Sequence, residues 1–79
     1  MGRELVHTTI NIEYQGRDAG VCDAVVIEGP EISPPRPGLN PHVLEARGNY
    51  LGDQYVVRSN SGGVEGALRE LKQHIESTL

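Results

Sequence analysis

The placement of proline constrains this chain more than any other sequence feature. All five prolines of the 79 residues fall between Gly29 and Pro41. Because proline fixes φ and has no backbone N–H, residues 29–41 are predicted to form neither a helix nor an interior strand. We expect a long surface connection that divides the remaining chain into two hairpins. A connection of this length exceeds the usual range, so Arg36 and Leu39 within it are candidate contact residues.

Two strands are predicted before this connection. Residues 5–14 alternate between apolar and polar side chains, which is typical of a half-buried strand. Residues 15–18 have turn chemistry, and residues 20–28 form a second strand that is apolar on both faces, as central strands are. Its two faces carry Cys22, Ala24 and Val26 on one side, and Val21, Val25 and Ile27 on the other.

A second hairpin is predicted after the connection. Residues 42–51 and 54–59 have strand patterns, and Gly52-Asp53 between them suits a two-residue turn. We expect a tyrosine ring to fill the space beside Gly48. The predicted register pairs Leu51 with Gln54, Tyr50 with Tyr55, and Gly48 with Val57. One face then carries Leu44, Ala46, Tyr50, Tyr55 and Val57.

A C-terminal amphipathic helix is predicted after residues 60–63, which break the strand and offer cap residues. The apolar positions that recur at helical spacing are Val64, Ala67, Leu68, Leu71, Ile75 and Leu79. This stripe is expected to pack on Ile10, Ile12, Val26 and Val57. The predicted fold class is therefore α+β, in one small domain of residues 1–79. It is a four-stranded antiparallel sheet, made of two hairpins joined by a Pro-rich loop, with the helix on one face.

Charge and cysteine content limit the function classes. Eleven acidic and seven basic residues give a net charge of −4, with no run of Lys or Arg. Nucleic-acid binding is therefore unfavoured; it would require a single basic stripe made of Arg17, Arg36, Arg47 and Arg58. Cys22 is the single cysteine, so we expect no disulfide and a cytoplasmic location. The apolar runs are too short for a signal peptide or a membrane span, and no membrane association is expected.

The residue pattern contains no recognisable catalytic or metal-binding arrangement, and we expect a protein that is not an enzyme and needs no cofactor. Cys22 is expected to be a buried packing residue rather than a reactive thiol. His42 and Glu45 would point to opposite faces of a strand, and Glu70 with His74 supplies only two ligands. A ligand-binding or enzymatic pocket between the Pro-rich loop and the helix start remains an alternative. Its residues would be His42, Tyr50, Tyr55 and Ser61.

If the helix covers one face of the sheet, several apolar side chains on the second face remain in contact with water, which is unusual for a monomer. Leu5 and Leu51 are expected on this second face as well. We therefore expect a non-catalytic protein-binding module that occupies a surface of its partner, as an adaptor, an antitoxin-like partner or an inhibitor. The partner is another protein or a second copy of the chain. The predicted binding residues are Val21, Val25, Ile27, Val43 and Val56 on the sheet, with Arg36 and Leu39 in the loop.

The segment from Tyr55 to Leu79 has a strand followed by a helix that contains Ala67-Leu68 and Ile75. In this order of elements it resembles the ends of double-stranded-RNA-binding domains and the small partner-binding domains of HicB-type antitoxins. The Lys cluster that the RNA-binding family carries at the start of its last helix is absent from residues 62–65. The resemblance is limited to element order and assigns no family.

Overall fold

The computed structural model describes residues 3–31, 37, 42–60 and 62–79. The sheet order is β1-β2-β3-β4 with every neighbouring pair antiparallel, and the helix packs on one face. The predicted α+β class, the sheet and the C-terminal helix are therefore confirmed, whereas most of the predicted Pro-rich loop lies outside the described residues. The elements are β1 (Arg3–Tyr14), β2 (Arg17–Glu31), β3 (His42–Tyr50), β4 (Asp53–Ser59) and α1 (Gly63–Glu76).

The first hairpin turns within two residues rather than the predicted four. Gln15 and Gly16 have φ of 53° and 75°. Positive φ at both central positions gives a turn whose twist matches that of the flanking strands. Nearer the start of β1, the pairing with β2 shifts by one residue at Leu5. Both Leu5 and Val6 consequently contact the core, and the placement of Leu5 on the second face is wrong.

The predicted start of the long connection at Gly29 is wrong, because β2 continues to Glu31. Pairing with β1 stops at Glu28, so the end of β2 has β3 as its neighbour. Gly29 and Pro30 together oppose the single residue Val43, which makes this a β-bulge. Proline is accepted at a bulge and beside an unpaired strand edge, since it then leaves no ladder hydrogen bond unmade.

The predicted register of the second hairpin is wrong by two residues. Gly48 pairs with Tyr55 rather than Val57. The turn is formed by Leu51-Gly52, with φ of 52° and 85°, rather than by Gly52-Asp53. Leucine is rare at positive φ, which is why the sequence favoured the other turn. A shift of two residues keeps every side chain on its face. The face predicted to carry Leu44, Ala46, Tyr50, Tyr55 and Val57 is therefore confirmed, and it is the face that packs on the helix.

The core lies between α1 and the sheet, and the predicted contact of the helix stripe with β1, β2 and β4 is confirmed. The atoms that a Cβ at Gly48 would meet first belong to Cys22 and Leu71, and Tyr55 is the cross-strand partner of Gly48. Leu79 lies beyond the end of the helix and is 42% exposed. The buried hydrophobic side chains are Ile12, Cys22, Ala24, Val26, Leu44, Ala46, Tyr50, Ala67, Leu71 and Ile75.

The two ends of α1 are held differently. At its start Gly62 is the N-cap, with φ of 79° and no side-chain cap hydrogen bond. Near its end Glu76 accepts a hydrogen bond from the backbone N–H of Glu13 (2.9 Å) and pairs with Lys72. The bond from Lys72, followed by the Glu13 N–H, lowers the pKa of Glu76, and the same pair raises the pKa of Lys72. This carboxylate therefore anchors the helix to β1.

Candidate functional site on the open face of the sheet

The face of the sheet opposite α1, here called the open face, is not covered by any described part of the chain. All five predicted binding residues of the sheet lie on it. Val21 and Val56 are 59% and 42% exposed, whereas Val25, Ile27 and Val43 are half-buried. The register places Glu4, Ile27, Glu45 and Arg58 in one row across the strands, and His7, Val25, Arg47 and Val56 in the next.

The apolar residues of the open face do not form one continuous patch. Val21 is separated from Val25 along β2 by Asp23, whose side chain is 64% exposed. The carboxylate of Asp23 lies 2.8 Å from Nε2 of His7, and Glu4 lies 3.9 Å from Nδ1 of the same ring. The predicted residues other than Val21 therefore form a group at the opposite end of the face.

A shallow cleft opens at that end, and the bulge in β2 forms one of its walls. A Cβ atom on Gly29 would lie 2.6 Å from the carbonyl oxygen of Val43, so this close approach requires glycine. The carbonyl oxygen of Gly29 lies 3.1 Å from Nδ1 of His42, a hydrogen bond that holds the bulge to the start of β3. The cleft has a volume of about 420 Å³. It is lined by Ile27, Gly29, Pro30, Val43, Glu45, Arg47 and Arg58.

An ion cluster forms the other wall of the cleft. Both Nε and Nη2 of Arg47 lie 2.6 Å from Oε2 of Glu45, and Nη2 of Arg58 lies 3.1 Å from Oε1. The Glu45 side chain is only 15% exposed, whereas those of Arg47 and Arg58 are 47% and 71% exposed. Two guanidinium groups thus share one carboxylate. The cluster carries a net charge of about +1, because arginine stays protonated.

Of the residues of the alternative pocket hypothesis, the two tyrosines lie near each other and His42 lies apart from them. His42 and Tyr50 stand at opposite ends of β3. The Tyr50 hydroxyl donates to the carbonyl oxygen of Ala19 (2.6 Å). Tyr55 packs edge-to-face on His74 near the end of α1, with ring centroids 5.7 Å apart. Tyr50 and Tyr55 are diagonal neighbours on the helix side of the sheet, because Gly48 stands opposite Tyr55 and Tyr50 stands opposite Asp53. Ser61 lies outside the described residues.

The arginines named for nucleic-acid binding are also divided. Arg47 and Arg58 meet at Glu45, while Arg17 lies beside the first turn, paired with Tyr14. Arg36, together with Leu39 of the predicted contact loop, lies outside the described residues. The described arginines therefore do not form a stripe.

Cys22 is a buried packing residue, and the described metal-ligating side chains do not form a site. The Cys22 side chain is completely buried, as predicted for a packing residue. Burial, followed by the negative charge of Asp23, raises the pKa of its thiol. Among the described residues, no three His, Cys, Asp or Glu side chains are grouped closely enough to hold a metal ion. In the same part of the chain, no helix has the length and apolar character needed to cross a membrane.

Glu45 is the functional candidate that sequence reasoning missed. Its direct cross-strand partner is Arg58. The predicted register instead placed Asn60 opposite Glu45, so the error in the turn concealed the ion cluster. An opposite-charge pair on one face of a hairpin is a stabilising arrangement, and testing each register for such pairs would have found it.

The fold and this surface define a small α+β protein with an open sheet face. Comparison with protein-family models, curated proteins and solved structures gives no match for this chain.

Proposed function

We propose that this chain is a small, non-catalytic protein-binding module that acts by occupying a surface of its partner through the open face. An adaptor, an antitoxin-like partner and an inhibitor all act in this way. The observation that carries the proposal is the half-exposed apolar group on a sheet face that the described chain leaves uncovered. A sheet face of this kind gains free energy when a partner removes its apolar area from water.

The chemistry of the open face also supports binding rather than catalysis. Both carboxylate oxygens of Glu45 are engaged by arginine, so this group is poorly suited to act as a base. The side chains of His7 and Asp23 are 58% and 64% exposed, and neither lines the cleft. A mixture of apolar groups and arginine is typical of protein interfaces.

The test compares two substitutions at positions of equal exposure. Val56 on the open face and Leu79 beyond the helix are each 42% exposed. Immobilised wild type, Val56→Asn and Leu79→Asn are incubated with extract of the native cell, and the retained proteins are quantified by mass spectrometry. Light scattering of each variant measures self-association, and circular dichroism checks the fold.

We expect wild type and Leu79→Asn to retain the same partner, or to form the same dimer. Val56→Asn should weaken this association about tenfold, because an interface anchor contributes more than 1 kcal/mol. Equal retention by the two variants would contradict the proposal. So would a strictly monomeric wild type that retains nothing above the bare matrix.

A second candidate function is the binding of a small molecule in the cleft. Its volume of about 420 Å³ falls within the roughly 300–1,000 Å³ of typical ligand sites. The cleft lies on the open face at the bulge, and its lining includes none of the residues of the earlier pocket hypothesis. A metabolite that raises the melting temperature of wild type but not of Arg58→Gln would favour this function over protein binding.

A further inference from the structure

We propose that the cleft on the open face binds an acidic peptide segment of a partner protein. A carboxylate side chain of that segment pairs with Arg47 and Arg58, and an adjacent apolar side chain lies on Ile27, Pro30 and Val43. The inference rests on the proposed function and specifies the chemistry of the partner.

The two arginines of the ion cluster have N–H donors that are not directed at Glu45. A guanidinium carries five N–H donors. Arg47 directs two of its nitrogens to Glu45, and Arg58 directs one. The remaining donors belong to side chains that are about half exposed or more, so a second carboxylate can reach them without breaking the existing pairs. The planar fork of arginine favours carboxylate groups as partners.

Local charge favours an anion here despite the net charge of −4 for the whole chain. Glu45 neutralises one of the two guanidinium groups, which leaves about one positive charge at the cleft. The other described carboxylates of the neighbouring rows, Glu4 and Asp23, are both grouped around His7 on the β1 side. The open face therefore presents a positive end to its partner, and an acidic segment is the complementary one.

The apolar wall adds a second requirement. Pro30 is exposed, and Ile27 and Val43 are half-buried. Gly29 allows the strands to approach closely there, so the bulge holds these apolar groups beside the arginines. A peptide that combines an acidic residue with an apolar neighbour satisfies both walls, whereas a carboxylate alone satisfies one.

The experiment is a selection from a random dodecapeptide phage library on the immobilised full chain. Peptides enriched on wild type are synthesised with a fluorescent label, and their affinities are measured by fluorescence polarisation. The key variant is Arg58→Gln, because this side chain is 71% exposed and its replacement disturbs the fold least. Arg17→Gln is the matched control, since Arg17 is an exposed arginine of the first hairpin. Circular dichroism verifies each variant, and Arg58→Lys provides a milder change.

We expect the selected peptides to carry Asp or Glu next to an apolar residue. Arg58→Gln should weaken their binding about tenfold, because charge-assisted hydrogen bonds are lost. Arg17→Gln should leave it unchanged, and Arg58→Lys should have an intermediate effect. Affinity should also fall as salt is raised from roughly 50 to 500 mM, through screening.

Several results would overturn the inference. Selected peptides without acidic residues, or peptides that bind Arg58→Gln as tightly as wild type, would refute the acidic chemistry. If such peptides still lose affinity for Val56→Asn, the protein-binding function survives while this inference fails. A selection that enriches no peptide also counts against it, and a dimer that Arg58→Gln dissolves would identify a second copy as the occupant instead.

Discussion

Gly48 offers the sharpest test of how the core is packed. It lies in β3 on the helix side and does not have the positive φ that would forbid alanine. A Cβ atom there would lie 2.6 Å from Sγ of Cys22 and 2.9 Å from Cδ2 of Leu71. Since both neighbours are completely buried, they have little free space into which to move.

The expected loss in the free energy of unfolding can be worked out from these distances. Ordinary contacts between such atoms are about 3.5–4.0 Å, so Gly48→Ala must widen both by roughly 1 Å. Overpacking of this kind costs roughly 1–3 kcal/mol. Replacing glycine in a strand with alanine stabilises the fold by roughly 0.5–1 kcal/mol, because the unfolded chain then has less conformational entropy. We therefore expect the free energy of unfolding to fall by about 1–2 kcal/mol.

The assay is urea denaturation followed by circular dichroism, applied to a double-mutant cycle. Cys22→Ala removes the sulfur atom that the new methyl group meets. In that background, Gly48→Ala should be less destabilising than in wild type, with a coupling energy of about 1 kcal/mol. If Gly48→Ala leaves stability unchanged or raises it, and the two substitutions are additive, then the packing described between β3 and α1 is incorrect.

Three further predictions concern the turn, the thiol and the helix anchor. Leu51→Asn should raise the free energy of unfolding by about 0.5–1 kcal/mol in urea denaturation, because asparagine tolerates positive φ better than leucine; a loss of stability would contradict this. Cys22 should react with Ellman's reagent only after unfolding in urea, since burial hides its thiol and raises its pKa; rapid labelling of the native protein would show that the strand opens. Glu76→Gln should lower the melting temperature near neutral pH. The folded pKa of Glu76 lies below its ordinary value of 4.5, so the stabilisation is present above about that pH and is lost as pH falls through the folded pKa. The gap between wild type and Glu76→Gln should therefore close in acid, and a gap that persists at low pH would disagree with this assignment.

The alternation of residues along the chain was enough to predict which side chains face the helix. Period-two patterns around Ile12, Val26 and Ala46 placed these residues in the core, where the structure has them. The helix stripe, read at spacings of three and four, likewise predicted the burial of Leu71 and Ile75. These assignments succeed because burial depends on side-chain polarity and on a local backbone period.

The open face was predicted with less detail. The sequence identified its apolar members, and Val25, Ile27, Val43 and Val56 do lie together on it. The separation of Val21 by Asp23 and the pairing of Glu45 with two arginines were not predicted. The first follows from alternation within β2, because residues 21, 23 and 25 share one face. The contact of Arg58 with Glu45 depends instead on which residues stand opposite each other across strands. That choice follows from the turns and bulges and not from the alternation.

Local sequence thus determined the strands, the helix and the face that each side chain occupies, because these follow from polarity repeated along a short stretch of backbone. Tertiary structure decided the register of β3 against β4 and the extension of β2 through Pro30. Leu51 accepts positive φ there, against its own preference. The pairing and packing of the whole sheet offset that local cost. The residue pattern of a single strand cannot predict this outcome, because the stabilising contacts come from other strands and from the helix.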